Sequence, residues 1–212
     1  MVFLRRFVFV TLILVFALAA CNSPAAAPSP TPAPTPTLIP GFKLYEGTGV
    51  ALQLPDTFNG GKLTGDDFQL LLERIKAMGP DFEQTAKLLE SKPDLYLLWA
   101  FDSNVGQSGF MTNVNVTSEK VMSFMSLDTY VEAVLKQLPA QFKIQSRDSV
   151  TIAGQPARQL ISEIAAYNSK QIMYILKYDN RIYAVTYSAG LNDFDERRPQ
   201  FERSIQTFVE TP

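Results

Sequence analysis

The segment from residue 171 to residue 188 constrains the fold more than any other part of the chain. Two strand-like runs, 171–178 and 181–188, flank Asp179-Asn180, a residue pair that tolerates the positive φ of a two-residue hairpin turn. The cross-strand pairs about that turn would be Leu176 with Tyr183, Tyr174 with Val185 and Ile172 with Tyr187 on one face, and Ile175 with Ala184 and Met173 with Thr186 on the other. Both faces are largely apolar, so we expect both to be covered.

Helices and further strands surround this hairpin in the sequence. Apolar residues at helical spacing predict four helices. The first runs from its cap Asp66 to Met78, the second covers 82–91, the third covers 127–138 after the cap Ser126, and the fourth runs from about Arg197 to Phe208. The other predicted strands are 42–45, 50–54, 95–101, 110–117, 142–152 and 157–163, and 56–65 is predicted to be a loop. Strand 110–117 alternates so that one face, with Asn113 and Asn115, is more polar than the other. The sequence therefore predicts an α+β domain over residues 41–212.

Short motifs in this order resemble the PsbP-like family. They are the Gly-Val-x-Leu-x-Leu-Pro run at 49–55, the Val-x-Ile-x-Gly-x-Pro-Ala run at 150–157, and an aromatic hairpin at 174–187 leading to a C-terminal helix. The resemblance implies a three-layer α/β/α sandwich around a central, mainly antiparallel sheet, and a non-enzymatic binding or assembly role. Many bacterial members of the family are lipoproteins. The helix pair at 66–90 departs from plant PsbP, and the family gives no binding residues to carry over.

The first 21 residues have the pattern of a bacterial lipoprotein signal peptide. Arg5 and Arg6 give a positive start, and residues 7–20 form an apolar run. The run is shorter than the roughly 20 residues of a transmembrane helix and is typical of a signal segment. It ends in the lipobox Leu18-Ala19-Ala20-Cys21, so we expect cleavage before Cys21 and lipidation of its thiol. An uncleaved N-terminal anchor with a chance cysteine is the alternative.

Residues 22–40 are predicted to be a tether. They hold half of the chain's 14 prolines, separated mainly by Ala, Ser and Thr, a composition that favours polyproline II and forms no core. At about 3.1 Å per residue this segment would reach roughly 60 Å. The sequence therefore predicts a signal peptide at 1–20, a lipidated Cys21 and tether at 21–40, and one globular domain held off the extracytoplasmic face of the cell membrane.

Composition limits the chemistry of the domain. The chain has no histidine, and Cys21 is its only cysteine, so His-dependent triads, His-ligated metals and disulfides are excluded. Loss of Arg5 and Arg6 would leave 17 basic against 21 acidic residues, which does not suit nucleic-acid binding. We expect a monomer that is not an enzyme, with no catalytic residue, cofactor or metal, whose partners are the membrane and an unidentified protein.

Three alternatives remain open from the residues. A cavity under the 66–90 helices would make the protein a carrier of a small apolar ligand or lipid. Two carboxylates about 5 Å apart would permit a hydrolase. The cluster Asp193-Asp195-Glu196 could bind Ca²⁺ weakly, although it lacks a spaced ligand loop. The carboxylates considered are Asp66, Asp67, Asp102, Glu163, Asp193, Asp195 and Glu196.

Overall fold

A computed structural model describes residues 37–211. Within them lie four α-helices: α1 (Gly65–Ala77), α2 (Glu83–Ser91), α3 (Leu127–Gln137) and α4 (Phe194–Ile205). The strands are β1 (Phe42–Glu46), β2 (Val50–Pro55), β3 (Phe58–Gly61), β4 (Leu98–Asp102), β5 (Asn113–Lys120), β6 (Phe142–Ile152), β7 (Gln155–Ile164), β8 (Ser169–Tyr178), β9 (Arg181–Gly190) and β10 (Val209–Glu210). No helix in this part of the chain is long and apolar enough to cross a bilayer.

Seven strands form one antiparallel sheet in the order β3-β4-β5-β9-β8-β7-β6. The hairpin of β8 and β9 has the predicted register, with Leu176 opposite Tyr183 and Ile172 opposite Tyr187. Its turn residue Asp179 has a φ of 48°, in the left-handed region that aspartate tolerates better than most residues. The alternation and the turn chemistry together therefore predict this register correctly.

Both faces of the sheet are covered, as the hairpin predicted. One face packs against α4 and a small sheet of order β1-β2-β10, with a core that includes Tyr187, Phe201 and Phe208. On the opposite face, α1 and α2 pack against Trp99 and Phe101. Helix α3 covers a separate apolar cluster on that same face, made of Val131, Leu160, Ile175 and Ile182. The domain is thus the predicted α/β/α sandwich.

Several boundaries differ from the predicted ones. The segment predicted as a loop, 56–65, contains strand β3, which the sequence conceals because Gly60 and Gly61 favour turns. A Cβ on Gly60 would collide with the backbone of β4, so glycine permits this pairing. Asp66 is not the helix cap; Thr64 holds that position. The strands predicted at 95–101 and 110–117 begin later, at 98 and 113.

The start of the described chain is attached to the domain by a buried glutamine. The Gln53 amide nitrogen donates to the Thr37 carbonyl at 3.0 Å, and its amide oxygen accepts from the Ile39 N–H at 2.8 Å. Gln53 itself is almost fully buried on β2. Residues 37 and 39, at the end of the predicted tether, therefore contact the folded domain.

Candidate functional site

A strip of polar side chains lies on the helix-covered face, between the two apolar clusters. The register places Asn113 and Asn115 of β5 directly opposite Phe101 and Trp99 of β4 on one side, and Ser188 and Thr186 of β9 on the other. Side chains that face one another across antiparallel strands share a face of the sheet. We name as the polar strip the side chains Asn113, Asn115, Thr117, Gln171, Thr186 and Ser188.

The strip lies between the helices that cover this face, and Thr186 and Ser188 within it are buried. Helices α1 and α2 pack over β4, whereas α3 packs over β7, β8 and the far end of β9. The residues between these helices did not need to be apolar, and Asn113, Asn115, Thr117 and Gln171 are only partly buried. The polar alternation of 110–117 had predicted this wetter face, and the structure confirms it.

An open groove of about 450 Å³ adjoins the strip at Asn113. We name it the apolar groove, because Phe82, Leu88, Phe110, Met111 and Tyr167 line it. Tyr167 is 64% exposed and Leu88 is 47% exposed, so large apolar surface faces solvent here. No charged side chain belongs to its lining, which also includes Gln84, Thr85 and Gly109.

Three chain segments that are distant in sequence form this groove. The first segment is α2, with Phe82 at its start and Leu88 on its outer face. The second is the stretch before β5, which contributes Phe110 and Met111. The third is the short helical turn Ala165–Tyr167 between β7 and β8, which contributes Tyr167. Asn168 ends that turn with a φ of 47° and accepts a backbone bond from Leu191. Sequence reasoning missed the groove, since its only local signal was an aromatic residue in a turn.

The other border of the strip is held by charged contacts from α3. Arg158 of β7 donates to the Asp128 carboxylate at 2.7 and 3.0 Å, and Arg147 of β6 pairs with Glu132. The hydrogen bond from Arg158 lowers the pKa of Asp128 below its usual value. Tyr130 donates to Glu119 at 3.1 Å. Burial is the main cause, and the Glu119 carboxylate the second, that raises the pKa of Tyr130 to about 12. These contacts fix α3 in place and leave the strip itself uncharged.

The carboxylates considered for catalysis are mostly engaged in separate contacts. Asp102 is buried, pairs with Arg197, and also accepts from the Asn104 N–H at 2.9 Å. Asp193 accepts from the hydroxyl and N–H of Ser108. The remaining contacts are Asp195 with Lys170 and Glu163 with Gln145, and Asp66 is exposed in the first turn of α1. Asp102, Asp193 and Glu196 line one polar cleft of about 610 Å³, but the first two already serve as structural anchors.

Residues 37–211 offer no metal site, and apolar side chains pack beneath α1 and α2. This part of the chain contains no group of three or more His, Cys, Asp or Glu side chains able to hold a metal ion. The space beneath α1 and α2 is filled by a closed cluster that includes Phe68, Leu72, Ile75 and Trp99. Trp99 is therefore a core residue, as predicted. The lipobox Leu18-Ala19-Ala20-Cys21 lies outside the described residues.

No protein-family model and no curated protein matches the chain. Among solved structures it is similar to the solution structure of cyanobacterial PsbP (CyanoP) from Synechocystis sp. PCC 6803, with 11% identity, a TM-score of 0.50, and coverage of 86% of this chain and 100% of that one. It is also similar to LpqN of Mycobacterium tuberculosis, described as involved in cell envelope biogenesis, with 10% identity, a TM-score of 0.48, and coverage of 81% and 91%. At these identities the likeness concerns the fold alone. The described domain has a PsbP-like fold, as the motifs at 49–55 and 150–157 had implied.

Proposed function

We propose that this protein is an extracytoplasmic lipoprotein, anchored in the cell membrane through Cys21, whose PsbP-like domain is a non-catalytic binding or assembly module. The anchor is supported by Leu18-Ala19-Ala20-Cys21 at the end of an apolar run. The binding role is supported by one observation above all, the exposed apolar groove that continues into an uncharged polar strip. We name the two together the contact surface.

The contact surface has the composition of a protein-binding site. Aromatic residues, Met and Leu lie at its apolar end, and amide and hydroxyl groups surround them. Interfaces commonly have such an apolar centre, depleted in charge, within a polar rim that supplies hydrogen bonds. A protein partner could bury Tyr167 and Leu88 in the groove and pair its own polar groups with Asn115 and Gln171. This arrangement requires no reaction and no cofactor.

In-cell photocrosslinking tests the proposal. A photoreactive amino acid at Gln84, an exposed residue lining the groove, should yield one discrete adduct with a membrane-associated protein. The double substitution Leu88→Ser and Tyr167→Ser should reduce that adduct at least tenfold, since both side chains are exposed and their loss spares the core. Leu95→Ser is the matched control, because Leu95 is 50% exposed and lies outside the groove.

The anchor is tested in the same cells with Cys21→Ser. We expect that variant to remain unprocessed or to be released from membranes after a carbonate wash, and to lose the adduct with the partner. A variant that is both processed and retained in membranes like the parent would refute the lipid anchor. An adduct that survives the double substitution, or that falls equally with Leu95→Ser, would refute the contact surface.

A further inference from the structure

The loop between β5 and α3 presents the most exposed large apolar side chain among the described residues. Phe124 is 81% exposed and its neighbour Met122 is 58% exposed. They occur in the run Val121-Met122-Ser123-Phe124-Met125, which we name the apolar loop. None of the clefts described above is lined by this loop. Val121 packs against the α3 cluster, whereas Met122 and Phe124 project into solvent and need a separate explanation.

The backbone of the apolar loop is held firmly in this conformation. Lys177 of β8 donates from its ammonium group to the carbonyls of Ser123 and Met125, each at 2.8 Å. The Val121 N–H donates to the Asn180 carbonyl in the β8–β9 turn, and Met125 N–H donates to the Met122 carbonyl at 2.9 Å. Five of the ten backbone polar groups in the loop thus have a hydrogen-bond partner within the domain. This lowers the cost of moving the loop into a less polar medium.

Cationic residues lie beside the apolar loop in the sequence and in the sheet. Lys120 precedes it, Lys177 supports it, and Arg181 donates to Ser118 on the adjacent strand. None of these three takes part in an ion pair among residues 37–211. The nearby carboxylates are Asp179 in the turn, Glu119, which accepts from Tyr130, and Glu210, which accepts from Tyr183 two residues beyond Arg181. The three cations are thus matched by three carboxylates, and Lys177 is engaged by the loop carbonyls, but Lys120 and Arg181 have no ion-pair partner among residues 37–211 that would compete with a phosphate group.

We infer that the apolar loop is a second membrane contact, in which Phe124 and Met122 enter the interfacial region of a phospholipid bilayer while Lys120 and Arg181 face its phosphates. Exposed aromatic residues beside cations are typical of surfaces that lie in the membrane interface. The inference builds on the proposed lipid anchor, because residues 21–36 would then link the domain to that same membrane. Sixteen residues at about 3.1 Å each span at most roughly 50 Å, so the domain stays within reach of the bilayer.

A second contact would also orient the domain. The apolar loop lies at the β8–β9 turn, whereas Tyr167 of the contact surface lies just before the opposite end of β8. Ten strand residues separate these ends by about 30 Å. Membrane binding at the loop would therefore leave the contact surface free for a protein partner.

Vesicle binding by the unlipidated mature chain, residues 21–212 with Cys21→Ser, tests the inference. The probe is vesicles of phosphatidylcholine and phosphatidylglycerol, with phosphatidylcholine vesicles as the comparison. We expect Phe124→Ser to weaken vesicle partitioning about tenfold, as expected for losing one buried phenyl ring. Leu95→Ser, which removes an exposed apolar side chain outside both the apolar loop and the contact surface, should leave partitioning unchanged.

Fluorescence gives a second measurement that does not depend on loss of binding. Trp99, the only tryptophan, is buried, so its emission should not respond to vesicles. In Phe124→Trp the added indole should shift to shorter wavelength when phosphatidylglycerol vesicles are present. An unshifted indole, or equal partitioning of Phe124→Ser and the parent chain, would overturn the inference. So would a shift caused only by an added membrane protein, since that would identify a protein-binding loop.

The outcome is separable from that of the proposed function. The test uses no lipid on Cys21, so failure of the anchor does not affect it. Conversely, the photocrosslinking at Gln84 involves the contact surface and not Phe124, so a negative vesicle experiment would leave the partner-binding proposal intact.

Discussion

Tyr174 and Tyr187 are adjacent buried tyrosines whose hydroxyl groups meet different surroundings. Their rings make an edge-to-face contact, with centroids 6.2 Å apart. The Tyr187 hydroxyl lies 2.8 Å from Ser204 Oγ, and Ser204 donates its own proton to the Gln53 carbonyl at 2.5 Å. Tyr187 must therefore be the donor to Ser204. The Tyr174 hydroxyl is also buried and has no partner among the described residues.

Removing each hydroxyl should therefore have different effects on stability. Tyr187→Phe breaks a buried hydrogen bond and should lower the free energy of unfolding by about 1 kcal/mol. Tyr174→Phe removes an unpaired polar atom and should leave that free energy unchanged or raise it by up to about 1 kcal/mol. Urea unfolding of both variants beside the parent measures the difference. Equal losses in the two variants would show that Tyr174 has a partner, such as a buried water molecule.

Helix α3 is the element whose docking the sequence described least accurately. Its stripe and its Ser126 cap were predicted, and the Ser126 hydroxyl does accept from the Thr129 N–H at 3.1 Å. The stripe nevertheless meets the sheet through one fully buried residue, Val131, while Val134 is only half-buried. The helix lies along one part of the sheet face and stays partly exposed, which periodicity alone does not reveal.

Substitutions on α3 should follow this difference in burial. Val131→Asp places a carboxylate against Leu160, Ile175 and Ile182 without a cation to pair with it. This substitution should lower the free energy of unfolding by at least about 3 kcal/mol. Val134→Asp should lower the free energy of unfolding by less, because the new aspartate side chain can turn toward solvent. Thermal unfolding monitored by circular dichroism ranks the two variants. A larger loss for Val134→Asp would mean that α3 is docked in a different rotation.

Elements with a strong local signal were predicted well, and features made by distant segments were not. The β8–β9 register follows from alternation and from Asp179-Asn180, both local properties. Strand β3 was missed because its Gly60-Gly61 pair is compatible with pairing only where β4 approaches closely. The apolar groove requires Leu88, Phe110 and Tyr167 to converge through the topology, and no local pattern encodes that convergence. The polar strip could be predicted from β5 alone, because its polar and apolar residues alternate and so identify the more polar face of the strand.

At the scale of the whole molecule, stability should depend on pH mainly at the two extremes. The domain contains no histidine and no cysteine, so no side chain with a normal pKa between about 5 and 8 is present. On the acid side, the lowered pKa of Asp128 means that its bond with Arg158 stabilises the fold above the ordinary carboxyl pKa of about 4. That contribution is lost as the pH falls through the lower native value.

The tyrosines determine the alkaline limit. Burial is the main cause that raises the pKa of Tyr45 and Tyr130 to about 12, and it also raises the pKa of Tyr96, Tyr174, Tyr178, Tyr183 and Tyr187. An unfolded tyrosine ionises near pH 10, so above that pH the unfolded chain has lost protons that the native chain retains. The free energy of unfolding must therefore fall with rising pH, by up to about 1.4 kcal/mol per pH unit for each such tyrosine.

Urea unfolding of residues 21–212 with Cys21→Ser measures the free energy of unfolding at each pH. This free energy should be constant from about pH 6 to pH 9 and should fall steeply above pH 10. The ultraviolet absorbance of tyrosinate should rise together with the loss of circular dichroism, because most of the tyrosines ionise only when the core opens. A stability change centred near neutral pH would contradict this expectation, since no group in the domain would account for it. Tyrosinate formation well before unfolding would contradict the burial of these rings, on which the α/β/α core depends.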